Sequence, residues 1–137
     1  MTIVGFNFNK IEVSKKEGTK GKVNIKNNIT ITDIQEKNIE LGAKDQNALK
    51  FFFEFTSSYE PALGRIMLGG DLLFIDEAKK TKAILEEWKK TRKIAKDLMR
   101  SILNTVLTRC NIEALILSQK VNLPPPIPLP SIKKEGK

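Results

Sequence analysis

The residues of this chain that could do chemistry are few, and their types narrow the options at once. The 137 residues include no histidine and a single cysteine, Cys110. Without imidazole there is no His-based triad, no histidine metal site and no imidazole general base. One thiol cannot close an intrachain disulfide, and with no histidine to activate it Cys110 reads as a buried structural thiol that suits a reducing interior. Glu36 and Glu40, Glu77, and Glu86 and Glu87 stand among abundant lysines and read as solvated ion-pair partners, not as an acid and base pair. The chain has no P-loop pattern and no Gly-x-Gly-x-x-Gly after a strand. The expectation is a non-enzyme with no catalytic residue, no metal and no cofactor.

What remains is binding chemistry. Lys and Arg number 24 against 16 Asp and Glu, a net charge of +8 with a pI near 9.6, which favours polyanions or acidic surfaces as partners. Between residues 79 and 100 stand nine cations, Lys79, Lys80, Lys82, Lys89, Lys90, Arg92, Lys93, Lys96 and Arg100, against three acids, Glu86, Glu87 and Asp97. Such a density on one element can contact a phosphate backbone without reading sequence; the plainer reading is a solvated helix face. Tyr59 and Trp88 are the only Tyr and Trp for base stacking, and no RNA-recognition, KH or helix-turn-helix signature is present.

Four apolar runs precede that basic stretch. TIVGFNFNKIEV puts Phe6 and Phe8 in one parity and Ile11 and Val13 in the other, a phase slip around Asn9 and Lys10 that predicts a strand with a bulge. Val23, Ile25, Ile29 and Ile31 alternate with polar residues as in a half-buried strand. Ile39 and Leu41 return to that parity and could prolong it. Leu49, Phe51, Phe53 and Phe55 form one wholly apolar face of a third strand, whose other face is interrupted by Phe52. RIMLGGDLLFID is a fourth, in which Gly69 and Gly70 predict a bulge or a close backbone approach. Short polar turns between them predict an antiparallel meander.

From Asp76, a plausible N-cap with Glu77 in the first turn, the period changes to 3.6. Leu85, Trp88, Ala95, Leu98, Met99, Ile102, Leu103 and Val106 make a stripe that must be buried. As one helix to Cys110 it would extend about 50 Å at 1.5 Å per residue, beyond strands of about 20 Å. It must therefore overhang, break, or pack on a helix of another subunit. Asn111 is read as an interruption before a short second helix, IEALILSQ. VNLPPPIPLPSI is held extended by proline, either packed on its own protein or offered to a proline-recognising domain.

This order of elements resembles the SecB-like family of protein-export chaperones, in an archaeal-type form. The resemblance lies in GFNFNKIEV, GGDLLFI and ILNTVLTRCNIEALILSQKVNLPPPIPL. It implies an α+β fold: a four-stranded antiparallel meander, a long C-terminal helix, a short second helix and an extended Pro-rich tail. It also implies homo-oligomers built through sheet and helix packing, and an apolar groove for unfolded polypeptide drawing on Phe6, Phe8, Phe52, Phe74 and Ile127. The strongly basic charge departs from the acidic bacterial export chaperones. Residues 1–131 are expected to form one domain and 132–137 a disordered basic tail. Two functions stay open: a holdase for non-native polypeptide, and a basic structural or accessory protein of the ribosome docked on rRNA through residues 79–100. No apolar run reaches the roughly 18 residues of a membrane span, and no signal-peptide core opens the chain, so a cytoplasmic protein without membrane insertion is expected.

Overall fold

The computed structural model describes residues 2–16, 23–37, 46–61 and 63–129. Among these, β1 (Thr2–Lys15), β2 (Asn24–Lys37), β3 (Gln46–Glu60) and β4 (Gly64–Glu77) form one antiparallel sheet, followed by α1 (Ala78–Thr91) and α2 (Lys96–Lys120). The expected α+β class, four antiparallel strands followed by two helices, is what is found. Ile39, Leu41 and the tail 132–137 lie outside the described residues.

The strand order is β1-β4-β3-β2, which corrects the expected meander. Only β2, β3 and β4 follow one another; β1 joins the far side of β4, a Greek-key arrangement. The reason lies in what each strand can bury. β4 carries apolar residues on both faces, Ile66, Leu68, Leu72 and Phe74 on one and Met67, Leu73 and Ile75 on the other, and suits a central place, whereas β2 carries Lys26, Asn28 and Thr30 on its outer face and tolerates an edge.

Bulges put the apolar residues on one face. In β1 the register shifts at Val4 and again at Asn9, so Ile3 pairs with Phe74, Phe6 with Leu72, Phe8 with Gly70, Ile11 with Leu68 and Val13 with Ile66. Partners directly across a ladder share a face. The five β1 side chains therefore point the same way although they are spaced three, two, three and two apart in sequence. The phase slip read at Asn9 is a bulge. A further shift at Thr32 brings Ile34 onto the face of Ile25, Ile29 and Ile31. Leu49, Phe51, Phe53 and Phe55 complete this face and are all buried.

Gly70 lets β1 approach: a Cβ there would fall 2.0 Å from the Asn7 carbonyl oxygen and 2.9 Å from the Phe53 ring, while one on Gly69 would meet nothing closer than 3.5 Å. The pair thus marks a close approach in β4, with the bulge itself opposite, on β1.

The single long helix expected from Asp76 to Cys110 is two helices, and the division is the reverse of the one read from sequence. α1 has 14 residues and α2 has 25, about 21 and 37 Å of helix. β4 runs to Glu77, so Asp76 is still strand, paired with Asn47, and the N-cap position falls to Glu77 without a side-chain cap. The premise of short strands also fails, because 14- and 15-residue strands extend about 45 Å. The break has another cause. At its C-terminus α1 reaches edge strand β2, where Arg92 lies 3.8 Å from Asp33; seventeen residues later α2 is over the opposite edge, with Arg109 above Phe6 of β1. An unbroken helix would leave the sheet at β2. Arg92 turns the chain in a left-handed conformation (φ 58°), its amide donating to the Trp88 carbonyl at 2.9 Å.

α2 runs through Asn111 without interruption, because its buried line Leu98, Ile102, Val106, Cys110, Ala114 and Ser118 continues in steps of four. Ile102, Val106 and Cys110 are wholly enclosed, and burying aliphatic side chains such as Ile102 and Val106 contributes roughly 1.5–3 kcal/mol each. Packing on the sheet, not propensity, therefore fixes this helix. Burial pushes the Cys110 thiol up to about 12, consistent with the structural role assigned to it.

Beyond α2 the chain crosses the sheet. Leu123 packs against the position of Gly64, the Tyr59 hydroxyl donates to the Pro124 carbonyl at 2.6 Å, and Asn27 Nδ2 donates to the Pro126 carbonyl at 2.9 Å. The proline segment thus packs on its own protein. Tyr59 is itself a buried residue of β3.

Candidate functional site

Of the five residues expected to line a groove, two come together. Phe6 and Phe8 of β1 meet edge to face with ring centroids 5.1 Å apart; Phe6 also stacks on Phe53 of β3 at 5.1 Å, and Phe8 meets the same ring edge-on at 6.2 Å. The rings converge because Gly70 of the intervening β4 has no side chain, leaving room for Phe53 beneath them. Phe53 is buried, whereas Phe6 and Phe8 stay partly open to solvent.

The second wall is α2. The Arg109 guanidinium carbon lies 4.7 Å from the Phe6 ring centroid, which fixes the helix flank that looks at β1. Ile112 and Ile116 follow at i+3 and i+7 on the same flank and are 53% and 46% exposed. Ile11, on the helix-side face of β1 beyond the aromatic group, is 47% exposed. β1 is an edge strand, paired only with β4, so it presents a row of backbone donors and acceptors outward. Together these residues give β1 and α2 an exposed apolar surface, a shallow trough, beside the Phe6–Phe8–Phe53 rings and along an unpaired strand edge.

The other three expected residues lie elsewhere. Phe52 is on the opposite face of the sheet, where it pairs with Asp71 and lies under the Lys50 ammonium at 5.7 Å. Phe74 has no exposed surface and packs edge-on against Phe51, ring centroids 5.7 Å apart. Ile127 sits in the tail with Pro125 and Pro126, beside Ile25 and Asn27 of β2.

All nine cations of the basic stretch are exposed, but the break distributes them over α1, the link and α2. Arg92 is drawn out of the set. Its guanidinium lies over Trp88 at 5.2 Å and beside Asp33. The Asp33 carboxyl is held below its ordinary range chiefly by the hydrogen bond from Gln35, with the Ile34 amide and Arg92 adding to it against some desolvation. The Trp88 indole nitrogen itself is buried with no hydrogen-bond partner.

Sequence reasoning missed Phe53 as a floor residue, and it missed Arg109, Ile112 and Ile116. The helical spacing of the last three was legible, but reading Asn111 as an interruption severed Arg109 from the two isoleucines. Among the described residues no group of three or more His, Cys, Asp or Glu side chains could hold a metal ion. No described helix is long and apolar enough to cross a membrane.

Comparison with known proteins adds one likeness. No protein-family model matches the chain, and no curated protein does. Among solved structures the fold is similar to the SecB-like chaperone of Mycobacterium tuberculosis, determined in complex with a ChAD peptide from the HigA1 antitoxin. The TM-score is 0.53 at 10% identity, over 97% of this chain and 91% of that one. At that identity the likeness is one of fold.

Proposed function

We propose that this chain is a non-enzymatic, SecB-like binding protein that holds extended, apolar stretches of non-native polypeptide in the trough between β1 and α2. The observation that carries the reading is the half-open Phe6–Phe8 pair backed by Phe53 and set beside an unpaired strand edge, with Ile112 and Ile116 exposed on the helix that carries Arg109 over Phe6. An extended segment needs apolar contact for its side chains and backbone partners for its amides, and both kinds of surface adjoin here. The neighbour of similar fold was solved with a peptide, which favours the same class of ligand. Homo-oligomers built through sheet and helix packing belong to this reading, and so does a cytoplasmic location. Neither the fold neighbour nor the geometry favours the ribosomal alternative.

The test is suppression of aggregation. At a stoichiometric ratio the protein should delay the aggregation of a chemically unfolded client, and Ile112→Ser combined with Ile116→Ser should weaken the effect while leaving the fold intact, since both side chains are about half exposed. A wild-type protein that gives no delay overturns the proposal. Sedimentation of the same preparation reports whether the 15.5 kDa chain self-associates.

A further inference from the structure

Arg109 holds a position that apolar contact alone does not require. Its guanidinium lies over Phe6, yet the residue is exposed and has no acidic side chain within ion-pair distance among the described residues. A cation held on an aromatic face keeps its N–H donors available at the edge of its plane, and the planar fork matches a carboxylate in two parallel hydrogen bonds. Nothing on the facing side of β1 competes for it: Ile3, Phe6, Phe8, Ile11 and Val13 are all apolar, and the nearby Lys10 and Glu12 pair with each other at 3.7 Å. The chain as a whole carries +8.

We propose that the trough selects polypeptide segments in which an apolar side chain is flanked by a carboxylate, with Arg109 as the residue that reads the charge. This rests on the reading of the trough as a polypeptide site and specifies its ligand. A second copy of the chain is the rival occupant, and charge argues against it. Each copy carries +8, so a two-fold pairing of trough with trough would set two basic chains, and two Arg109 side chains, against each other.

The experiment measures binding of three labelled extended peptides by fluorescence polarisation. They share a Leu-Phe core and differ only in flanking residues: Glu, Gln or Lys. At low ionic strength the wild-type protein should bind the Glu peptide about fivefold more tightly than the Gln peptide, and the difference should shrink as salt is added. Arg109→Gln should bring the Glu and Gln peptides within about twofold, and Arg109→Glu should reverse the order in favour of Lys. Circular dichroism of both variants checks that they fold. If no peptide binds wild-type protein, the polypeptide reading falls and takes this inference with it. If all three bind equally, or Arg109→Gln keeps the Glu preference, the polypeptide reading stands and Arg109 is not its charge reader. A dimer that sediments unchanged with saturating Glu peptide, and binds none of it, assigns the trough to a second copy and likewise overturns the inference.

Discussion

Gly70 and Gly69 adjoin in sequence but differ in what surrounds them, and that difference is measurable. A methyl group at Gly70 would overlap the Asn7 carbonyl, which belongs to the β1 backbone and cannot rotate away, so Gly70→Ala should destabilise the fold by about 3 kcal/mol. Gly69→Ala meets only ordinary contacts and should change stability by less than about 0.5 kcal/mol; urea denaturation of the two variants decides. Cys110 gives a second prediction at this scale. Its thiol titrates near 9 when the chain is unfolded and at about 12 when folded, so between those values the native state keeps a proton that the unfolded state has released. Stability is complete below pH 9 and falls as pH rises toward 12, by up to about 1.4 kcal/mol per unit for one such group. Burial raises Tyr59 in the same direction, so Cys110→Ala should flatten the decline in denaturation midpoint mainly between pH 9 and 10. The thiol should react with alkylating reagents only on unfolding.

Each element shows a different degree of legibility in the sequence. The β3 face, and β2 as far as Ile31, were legible because strict alternation survives there; the shift at Thr32 that turns Ile34 to the same face was not. β1 was legible only in part: the slip at Asn9 was visible, but the slip at Val4, which sets Ile3 beside Phe6, left no sign in a run as short as TIVGF. Because Asn9 is the extra residue of the bulge, deleting it leaves Ile11 and Val13 in simple alternation with Phe8 on the inner face and should change stability by less than about 1 kcal/mol in urea denaturation. The strand order was not legible, since local patterns say which residues are buried but not which strand covers them. Nor was the helix break, because a left-handed arginine carries none of the Gly or Pro marks by which helix ends are recognised. Arg92→Val should destabilise the protein by about 1–2 kcal/mol because a β-branched residue resists φ near 58°. Arg92→Gly regains backbone freedom but gives up the contacts with Trp88 and Asp33, and should fall nearer to wild type when urea denaturation compares the two variants. Of the trough, the β1 aromatics could be read in advance; the helix wall could not, because it depends on where a continuous α2 lies.

At the scale of the whole molecule, the two helices carry the chain from β4 out to the β2 edge, back over the sheet to the β1 edge, and finally to the strand ends at Gly64 and Tyr59. The tail then ties down that end. Tyr59→Phe removes the hydroxyl that holds Pro124 and should cost about 1 kcal/mol in urea denaturation, while limited proteolysis after Lys120 should become faster. A proline-rich segment has few amides to donate, so every polar bond that anchors it must come from a donor on the sheet, and the sheet supplies one at Tyr59 and another at Asn27. These anchors sit on different strands, β3 and then β2, with Leu123 seated beforehand where β1 meets β4. A force applied at the C-terminus would therefore load them one after another, Asn27 first, then Tyr59, then Leu123. The tail should peel like a zip at low tension and leave the four-stranded sheet whole, so that the last described segment is also the first to yield mechanically.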